Sequence, residues 1–558
     1  MKRYIQAYIL ILISLNPIIS QDNKNHHLAP YINDREKELF YQMYVEHSEE
    51  IPDNWQSERK IQNENLYNYN LPFIKKDFRV NDDFGDAYQF FADIAVGDSG
   101  NFIIVWVDER QEDRYVYAQR FDKNGVALSQ NFNVDSMGVT TKWTPPTVMF
   151  YKTGKFLVSW QDYRNANWDV YARRFNHNGK PLQKAFRVND DFDRTIQGSP
   201  SVAIDSSGNT FIVWRDWRDD VGNDERNIYA QLYDPNGNAI NGNFLVNPQQ
   251  NNIDHGAPAV ATNKAGHFVV VWEDKRNGNW DIYAKLYNHR GEVILENFRV
   301  NDDSGTRNQW YPEVAVDESG NFIIVWQDYR NGNWDIYAQR FDSNGIPLGQ
   351  NFRVNDDLGS SDQWYPTVAV DDLGNFVIVW EDKRNDSGDI YGQRYNHEGV
   401  PLGNNFIINT EKSNRQGAPR VKLWNGKIYT VWESIHDPTA GYDIWANVLD
   451  WNDPYTRIAE NGSAGVSTYH LAQNYPNPFN PTTTIQYTLP KAGKVILKIY
   501  NSLGQVVRTL VEEHQPAGRY TVQWNGRDDF GRQMPAGIYF YRLKAGQFEQ
   551  VRKMVLVR

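Results

Sequence analysis

The chain contains no cysteine among its 558 residues. That absence removes disulfides, thiolate nucleophiles, cysteine-based zinc sites and a lipid anchor built on an N-terminal cysteine, so stability has to come from packing. Histidine is scarce, at 11 residues, and no HExxH, Walker loop, GxSxG or EF-hand loop is present. An excess of positive charge is missing too: the net charge is -12 and the isoelectric point is near 5.5. Nucleic acid and anionic lipid, which attract basic faces, are therefore excluded as partners. Long apolar runs are absent after the first twenty residues, so the mature chain has nothing approaching the roughly 20 consecutive apolar residues that span a bilayer.

What is present begins with an export signal. Lys2 and Arg3 precede an apolar run at 9–15 that ends near Ser20 and Gln21, the layout of a secretory signal peptide over 1–20. The segment 21–77 is rich in Asn, Glu, Tyr and Gln and is expected to be partly disordered or to form a short helix around 34–46, with no function assigned to it.

A repeat then dominates. Variants of "FRVNDD" place equivalent phenylalanines at 78, 132, 186, 244, 298, 352 and 406, at intervals of 54 or 58 residues, and glycines of "DESGN"-like turns follow at 100, 154, 208, 266, 320, 374 and 426. Each copy reads as four strands: "YPEVAVD" alternates, "NFIIVW" is a continuous β-branched run, "DIYAQRFD" alternates and "NFRVN" is short. Asp, Asn and Gly fill the turns between them. Four antiparallel strands per roughly 50 residues predict an all-β chain with a seven-bladed β-propeller over 78–451. The phase of the repeat predicts that 78–81 pairs with 443–449, so that the first segment completes the last blade and no edge is left open.

Trp106, Trp160, Trp214, Trp272, Trp326, Trp380 and Trp432 end the second strand of every copy and read as packing between blades. The following Asp and Arg recur in six copies, from Asp108 with Arg110 to Asp382 with Arg384, and read as a clasp on the loop end; Ser434 and His436 replace them in the seventh. Function is expected where copies differ. The loops "NDDSGTRNQWYP" and "DYRNGNWD" share one face, and Trp143, Trp168, Trp280, Trp310, Tyr311, Trp334, Trp364 and Tyr365 are the ligand-binding candidates there, as aromatic plates beside polar groups suited to sugar rings or a protein surface. "VNDD" offers adjacent oxygens to Ca²⁺ at Asn301, Asp302 and Asp303 and their equivalents, although turn capping is the preferred reading and no metal site or cofactor is assigned. No catalytic pair is selected among the 70 acidic residues.

A polar linker at 452–470 leads to a compositionally distinct end, 471–558, read as a small immunoglobulin-like β-sandwich with strands near 484–487, 495–500, 505–511, 518–524, 537–545 and 547–556. Its motif is Asn474, Tyr475, Pro476, Asn477, Pro478, Phe479, Asn480 and Pro481, followed by 501–505, Gly518, Trp524, Gly526, Asp528, Gly531, Gly537, Tyr539 and 553–558. On these residues the segment resembles the type A C-terminal sorting domain of the type IX secretion system of Bacteroidetes, itself similar to the immunoglobulin-like domain of a flagellar-hook capping protein. The resemblance implies the type IX machinery as partner, and release or attachment at the outer surface of a Gram-negative bacterium. "VDESGNFIIVW" resembles the Asp-box turn of sialidases only superficially, because it departs from the Ser-x-Asp-x-Gly order. The propeller resembles other repeat-rich exported proteins with "VWxDxR…DIYAQR" units, which bring no catalytic residues with them. The reading is a surface or secreted binding module for glycan or protein, non-catalytic in its leading form; a polysaccharide hydrolase or lyase and a structural or adhesive surface component are the alternatives.

Overall fold

The computed structural model describes residues 73–557, apart from 452–468 and short stretches at 84, 86, 112, 136–143, 152–153, 192–194, 221–224, 249–252, 358, 386–387, 412–413, 436–440, 472–473, 475–476, 478, 517 and 547. The expected signal peptide, the helix at 34–46, Trp143 and His436 lie outside the described residues, as do Tyr475, Pro476 and Pro478.

Every described element of regular structure is a strand or a short turn, and seven four-stranded antiparallel sheets follow one another with the period of the repeat. Blade 1 spans 89–133, blade 2 147–187, blade 3 197–245, blade 4 255–299, blade 5 309–353, blade 6 363–407 and blade 7 416–450. In blade 5 the order from the axis outward is Gln309–Val316, Phe322–Asp328, Asp335–Phe341 and Phe352–Arg353. The first strands of neighbouring blades touch in succession, and that of blade 7, Gln416–Trp424, touches that of blade 1, Gln89–Val96, so the ring is closed. The outer strand of blade 7 is Phe73–Arg79, paired antiparallel with Asp443–Asp450 through Phe78 opposite Ala446 and Arg79 opposite Trp445. This is the expected closure, but the strand starts five residues earlier than the repeat marker at Phe78. Two register shifts, between Phe73 and Lys75 and between Lys75 and Phe78, break the alternation that would have announced it.

The seven strand-end tryptophans are fully buried between blades. In blades 1 to 6 the indole donates to the Asp two residues on, for example Trp326 Nε1 to Asp328 Oδ2 at 2.8 Å. The same Asp receives the Arg, with Arg330 Nη2 at 2.7 Å from Asp328 Oδ2, while Arg330 Nη1 lies 2.9 Å from Asp302 at the start of the preceding loop and the guanidinium rests 4.2 Å from the Tyr337 ring centre. The Arg thus ties the second strand, the third strand and the "VNDD" loop together, which is the structural clasp the repetition predicts. In blade 7, with Ser434 in place of Asp, Trp432 Nε1 donates instead to Gln416 Oε1 at 2.7 Å.

The "VNDD" asparagine is a second hub. Asn301 Nδ2 donates to Asp281, Asp303 and Gln309, and its Oδ1 accepts the Ile282 N–H. Loop contacts take up most of these oxygens, Asp302 through Arg330 and the Asn351 N–H and Asp303 through Asn301, while Asp303 Oδ2 and its equivalent Asp357 Oδ2 are buried without a hydrogen bond among the described residues.

At the C-terminus, Thr483–Leu489, Gly493–Asn501, Val506–Gln515, Gly518–Trp524, Gly537–Ala545 and Phe548–Leu556 form two sheets that enclose Phe479, Ile485, Leu497, Trp524, Tyr541 and Leu543. This is the expected immunoglobulin-like sandwich, with one further two-residue strand at His470–Leu471. Two described residues of the motif are structural: Asn474 is 2% exposed and donates to Thr483 Oγ1, and Phe479 bonds Val555 and Val557 through its backbone.

Candidate functional site

The inner strand of each blade begins on the face that also carries the loop between second and third strands. The two features are joined across blades: Gln309 N–H donates to the Trp280 carbonyl and Gln363 N–H to the Trp334 carbonyl. Here the inner strands carry a bulge, with a register shift between Trp310 and Glu313 in blade 5 and between Trp364 and Thr367 in blade 6. Tyr311 and Tyr365 sit at φ values of 52° and 51°, and Phe91, Ser199, Ala257 and Ala418 repeat the left-handed conformation at the equivalent positions. Bulky residues rarely adopt it without compensation. The compensation is visible: the freed N–H is met by a side chain of the preceding blade, Tyr311 by Glu273 Oε1 at 2.7 Å, Tyr365 by Gln327 at 2.8 Å, Phe91 by Glu433 at 2.6 Å and Ala418 by Glu381 at 3.3 Å.

The bulge delivers aromatic rings in blades 5 and 6. Trp310 stacks on Trp334 at 4.7 Å between ring centres, Tyr329 lies 4.9 Å from Trp334, and Tyr311 meets Tyr365 across the blade boundary at 5.2 Å. Trp280, Trp310, Tyr311, Trp334, Trp364 and Tyr365 are all half-buried, so they form a shelf over blades 4 to 6 with some ring surface left outward. Trp168 differs: it is 6% exposed with Tyr163 against it at 4.6 Å, and it fills its own loop. Trp168 was expected among the ligand-binding aromatics of this face, but burial leaves it little surface to offer.

The position held by Phe90, Trp310 and Trp364 in blades 1, 5 and 6 is glycine in blades 3, 4 and 7, at Gly198, Gly256 and Gly417. A Cβ on Gly256 would stand 2.6 Å from Glu273 Oε2, and one on Gly417 2.5 Å from Glu381 Oε2, so these carboxylates occupy space vacated by the missing side chains.

These acids are the part of the site that motif reading missed. They occupy the position after the repeated Trp, which reads Val107, Gln161, Arg215, Glu273, Gln327, Glu381 and Glu433. Variation at one register position between two fixed ones was the available signal. Their titration differs. Burial pushes Glu433 up to about 7, against the pull of the Phe91 N–H, and Glu273 likewise to about 7, against the Tyr311 N–H and the charges of Arg215 and Arg226. Burial would raise Glu381 as well, but Arg415 and Lys383 outweigh it and hold its carboxyl below the usual range, with Lys383 Nζ at 2.7 Å. Glu433 and Glu381 are 2% and 0% exposed and serve as inter-blade staples; Glu273 is half-buried. Deeper in, Arg420 of blade 7 lies 3.8 Å from Glu313 of blade 5, an ion pair between blades that are not neighbours in the ring. At the opposite end, Lys264 of blade 4 pairs with Glu318 of blade 5 and with Asp372 of blade 6.

Comparison with known proteins bears on both parts of the chain. Residues 480–547 match the FlgD Ig-like domain family. No curated protein sequence matches the chain. Among solved structures, a protein of unknown function from Dyadobacter fermentans aligns at 10% identity over 68% of this chain and 99% of its own, with a TM-score of 0.41. The polysaccharide lyase Uly1 aligns at 10% identity over 64% and 90%, with a TM-score of 0.44. PorZ, a surface component of the type IX secretion system of Porphyromonas gingivalis, aligns at 13% identity over 86% and 60%, with a TM-score of 0.36. The chain is thus an all-β protein of seven propeller blades followed by an immunoglobulin-like domain of the FlgD type.

Proposed function

We propose that the chain is an exported glycan-binding propeller, carried across the outer membrane by its C-terminal domain acting as a type IX sorting signal and held at or released from the cell surface. One observation carries the binding half of this reading: four half-buried rings set by the strand bulges of blades 5 and 6, Trp310, Tyr311, Trp364 and Tyr365, lie on the face that also carries half-buried Trp280 and Trp334 in the loops between second and third strands. The repeat itself does not demand rings at this register, since blades 3, 4 and 7 carry glycine followed by serine or alanine there. Sugar rings stack on Trp and Tyr faces while Asn, Asp and Arg of the loops meet their hydroxyls. The export half rests on the N-terminal sequence and on the motif beginning at Asn474. No helix among the described residues is long and apolar enough to cross a membrane.

The test is a glycan-array screen of the full chain beside a Trp310→Ala/Trp364→Ala double variant, with a product assay on every hit. Binding that the double variant loses supports the reading; an array without hits overturns it. Glu273 favours a second reading. It is a half-buried carboxyl with a pKa of about 7, beside Arg215 and Arg226 and next to the shelf through Tyr311, and it suits general acid–base work on a polysaccharide at neutral pH. Turnover of a bound glycan that Glu273→Gln abolishes, with binding retained, would establish a hydrolase or lyase.

A further inference from the structure

The clasp arginines recur in six blades and are committed to carboxylates. A different set of cations flanks the shelf aromatics without recurring. Lys275 Nζ lies 5.7 Å from the ring centre of Trp280, the Arg307 guanidinium 5.6 Å from that of Tyr329, and Lys383 Nζ 4.9 Å from that of Trp364. The register position of Lys275 and Lys383 is Glu109, Tyr163, Trp217 and Tyr329 in blades 1, 2, 3 and 5, so the lysines appear only beside shelf residues.

Several acids on this face are paired, although Asp303 and Asp357 each keep one buried carboxylate oxygen without a hydrogen bond among the described residues. Asp302 and Asp356 are held by Arg330 and Arg384 at 2.9 and 2.7 Å, Asp254 is paired with Arg226, and Glu381 with Lys383 and Arg415. Lys275 and Arg307 are exposed and form no ion pair among the described residues. Two exposed cations with no carboxylate partner, each against an aromatic ring, stand out on a chain of net charge -12. A cation beside a ring is held there by the ring's negative face while its charge stays available to an anion.

We propose that the shelf takes an anionic polysaccharide, its pyranose rings stacking on Trp310, Trp334 and Trp364 and its carboxylate or sulfate groups meeting Lys275 and Arg307. This rests on the glycan reading above and adds the charge of the ligand to it. Carboxylate and sulfate share the chemistry used here, a compact anion on the ring periphery, and the probes separate them.

The experiment is calorimetric titration of the full chain with oligogalacturonate, its methyl ester, dextran sulfate and dextran, repeated for Lys275→Gln/Arg307→Gln and for Trp310→Ala/Trp364→Ala. The expected result is that at least one acidic ligand binds about five- to tenfold more tightly than its neutral counterpart, each exposed cation contributing about two- to fivefold. The charge variant should remove most of that preference, and raising salt from 50 to 300 mM should narrow it. The aromatic variant should lose both acidic and neutral ligands. A preference confined to dextran sulfate assigns sulfate, and one confined to oligogalacturonate assigns carboxylate. Equal affinity for neutral and acidic ligands, unchanged in the charge variant, overturns the charge assignment and leaves the aromatic shelf standing. Acidic binding that survives the aromatic variant overturns it too, as charge attraction without a sugar site. No binding of any probe, in any variant, removes this proposal and the glycan reading together.

Discussion

Glu433 and Glu381 occupy the same register position in adjacent blades and each accepts the N–H of a strained bulge residue, yet they should respond oppositely to one substitution. The folded-state pKa of Glu433 is raised by burial to about 7. Below about pH 4.5 its carboxyl is protonated folded or unfolded and costs nothing; as pH rises toward 7 the unfolded chain ionises while the fold retains the proton, so stability falls, and above 7 the deficit is constant. Glu381 is depressed, so its contribution is present above the unfolded pKa and lost as pH falls. Gln327 shows that an amide oxygen can hold the same bulge, at 2.8 Å from the Tyr365 N–H. Glu433→Gln is therefore expected to stabilise the protein at pH 8, by on the order of 2 kcal/mol, and to be near neutral at pH 5. Glu381→Gln strands Lys383 and Arg415 without their carboxylate and is expected to destabilise at pH 8 by about 3 kcal/mol. Urea unfolding of both variants at the two pH values checks the pair; the same sign for both at pH 8 would defeat the assignment. At this scale the sequence was half legible. The Trp, Asp and Arg of the clasp announced themselves by sixfold repetition, whereas Glu273, Glu381 and Glu433 did not, because their roles come from the neighbouring blade and a linear repeat shows each blade only to itself.

At the scale of the element, the bulge and the closing strand organise the molecule. The bulge was not legible: nothing in "QWYPEVAV" requires φ above 50° at a tyrosine, and the cause lies in the carboxylate or amide of the blade before. The closing strand was legible from the phase of the repeat, but its start was not, since two register shifts hide its alternation. Phe78 packs edge-on against Phe121 at 5.3 Å and takes part in the cluster that joins blades 7 and 1. Without the strand, blade 7 would keep three strands and present the bare edge of Asp443–Asp450 to solvent, a template for pairing with another chain. A chain starting at residue 81 should therefore melt several degrees below one starting at residue 72, and should form concentration-dependent oligomers that the longer chain does not. Light scattering together with thermal denaturation of the two truncations checks this, and equal behaviour would show that the ring does not depend on the strand. Burial of Trp168 belongs to the same scale: it shares with Trp334 of blade 5 a tyrosine neighbour, Tyr163 in place of Tyr329, yet is 6% exposed where Trp334 is half-buried. Trp168→Ala is accordingly expected to cost about 3 kcal/mol of stability and leave glycan affinity unchanged, whereas Trp310→Ala should do the reverse, as parallel unfolding and binding titrations would show.

At the scale of the whole molecule, seven near-identical blades produce an unequal face. The clasp, the asparagine hub and the buried tryptophans hold the ring by repetition, and that uniformity frees the few unrepeated positions to differ without cost to the fold. Bulge aromatics then pair in blades 5 and 6, Gln161, Glu273 and Glu381 fill the space left by glycine in blades 3, 4 and 7, and Lys275 and Arg307, with no ion pair among the described residues, stand beside rings. The C-terminal sandwich has its own core, built from Phe479, Trp524, Tyr541 and their neighbours, and among the described residues shares no buried cluster with the blades. On the proposed function, binding and delivery fall to separate cores, and a domain acting as an address need not touch the activity of what it carries. A chain ending at residue 451 is expected to keep the full glycan affinity of the shelf while failing to reach the cell surface of a type IX-competent host. Full-length chain with Trp310→Ala and Trp364→Ala should reach the surface and bind nothing. Surface labelling and binding titration on both variants separate the two functions. Loss of affinity in the truncated chain would mean that the sandwich contributes to the site, and the division of labour between the two cores would have to be abandoned.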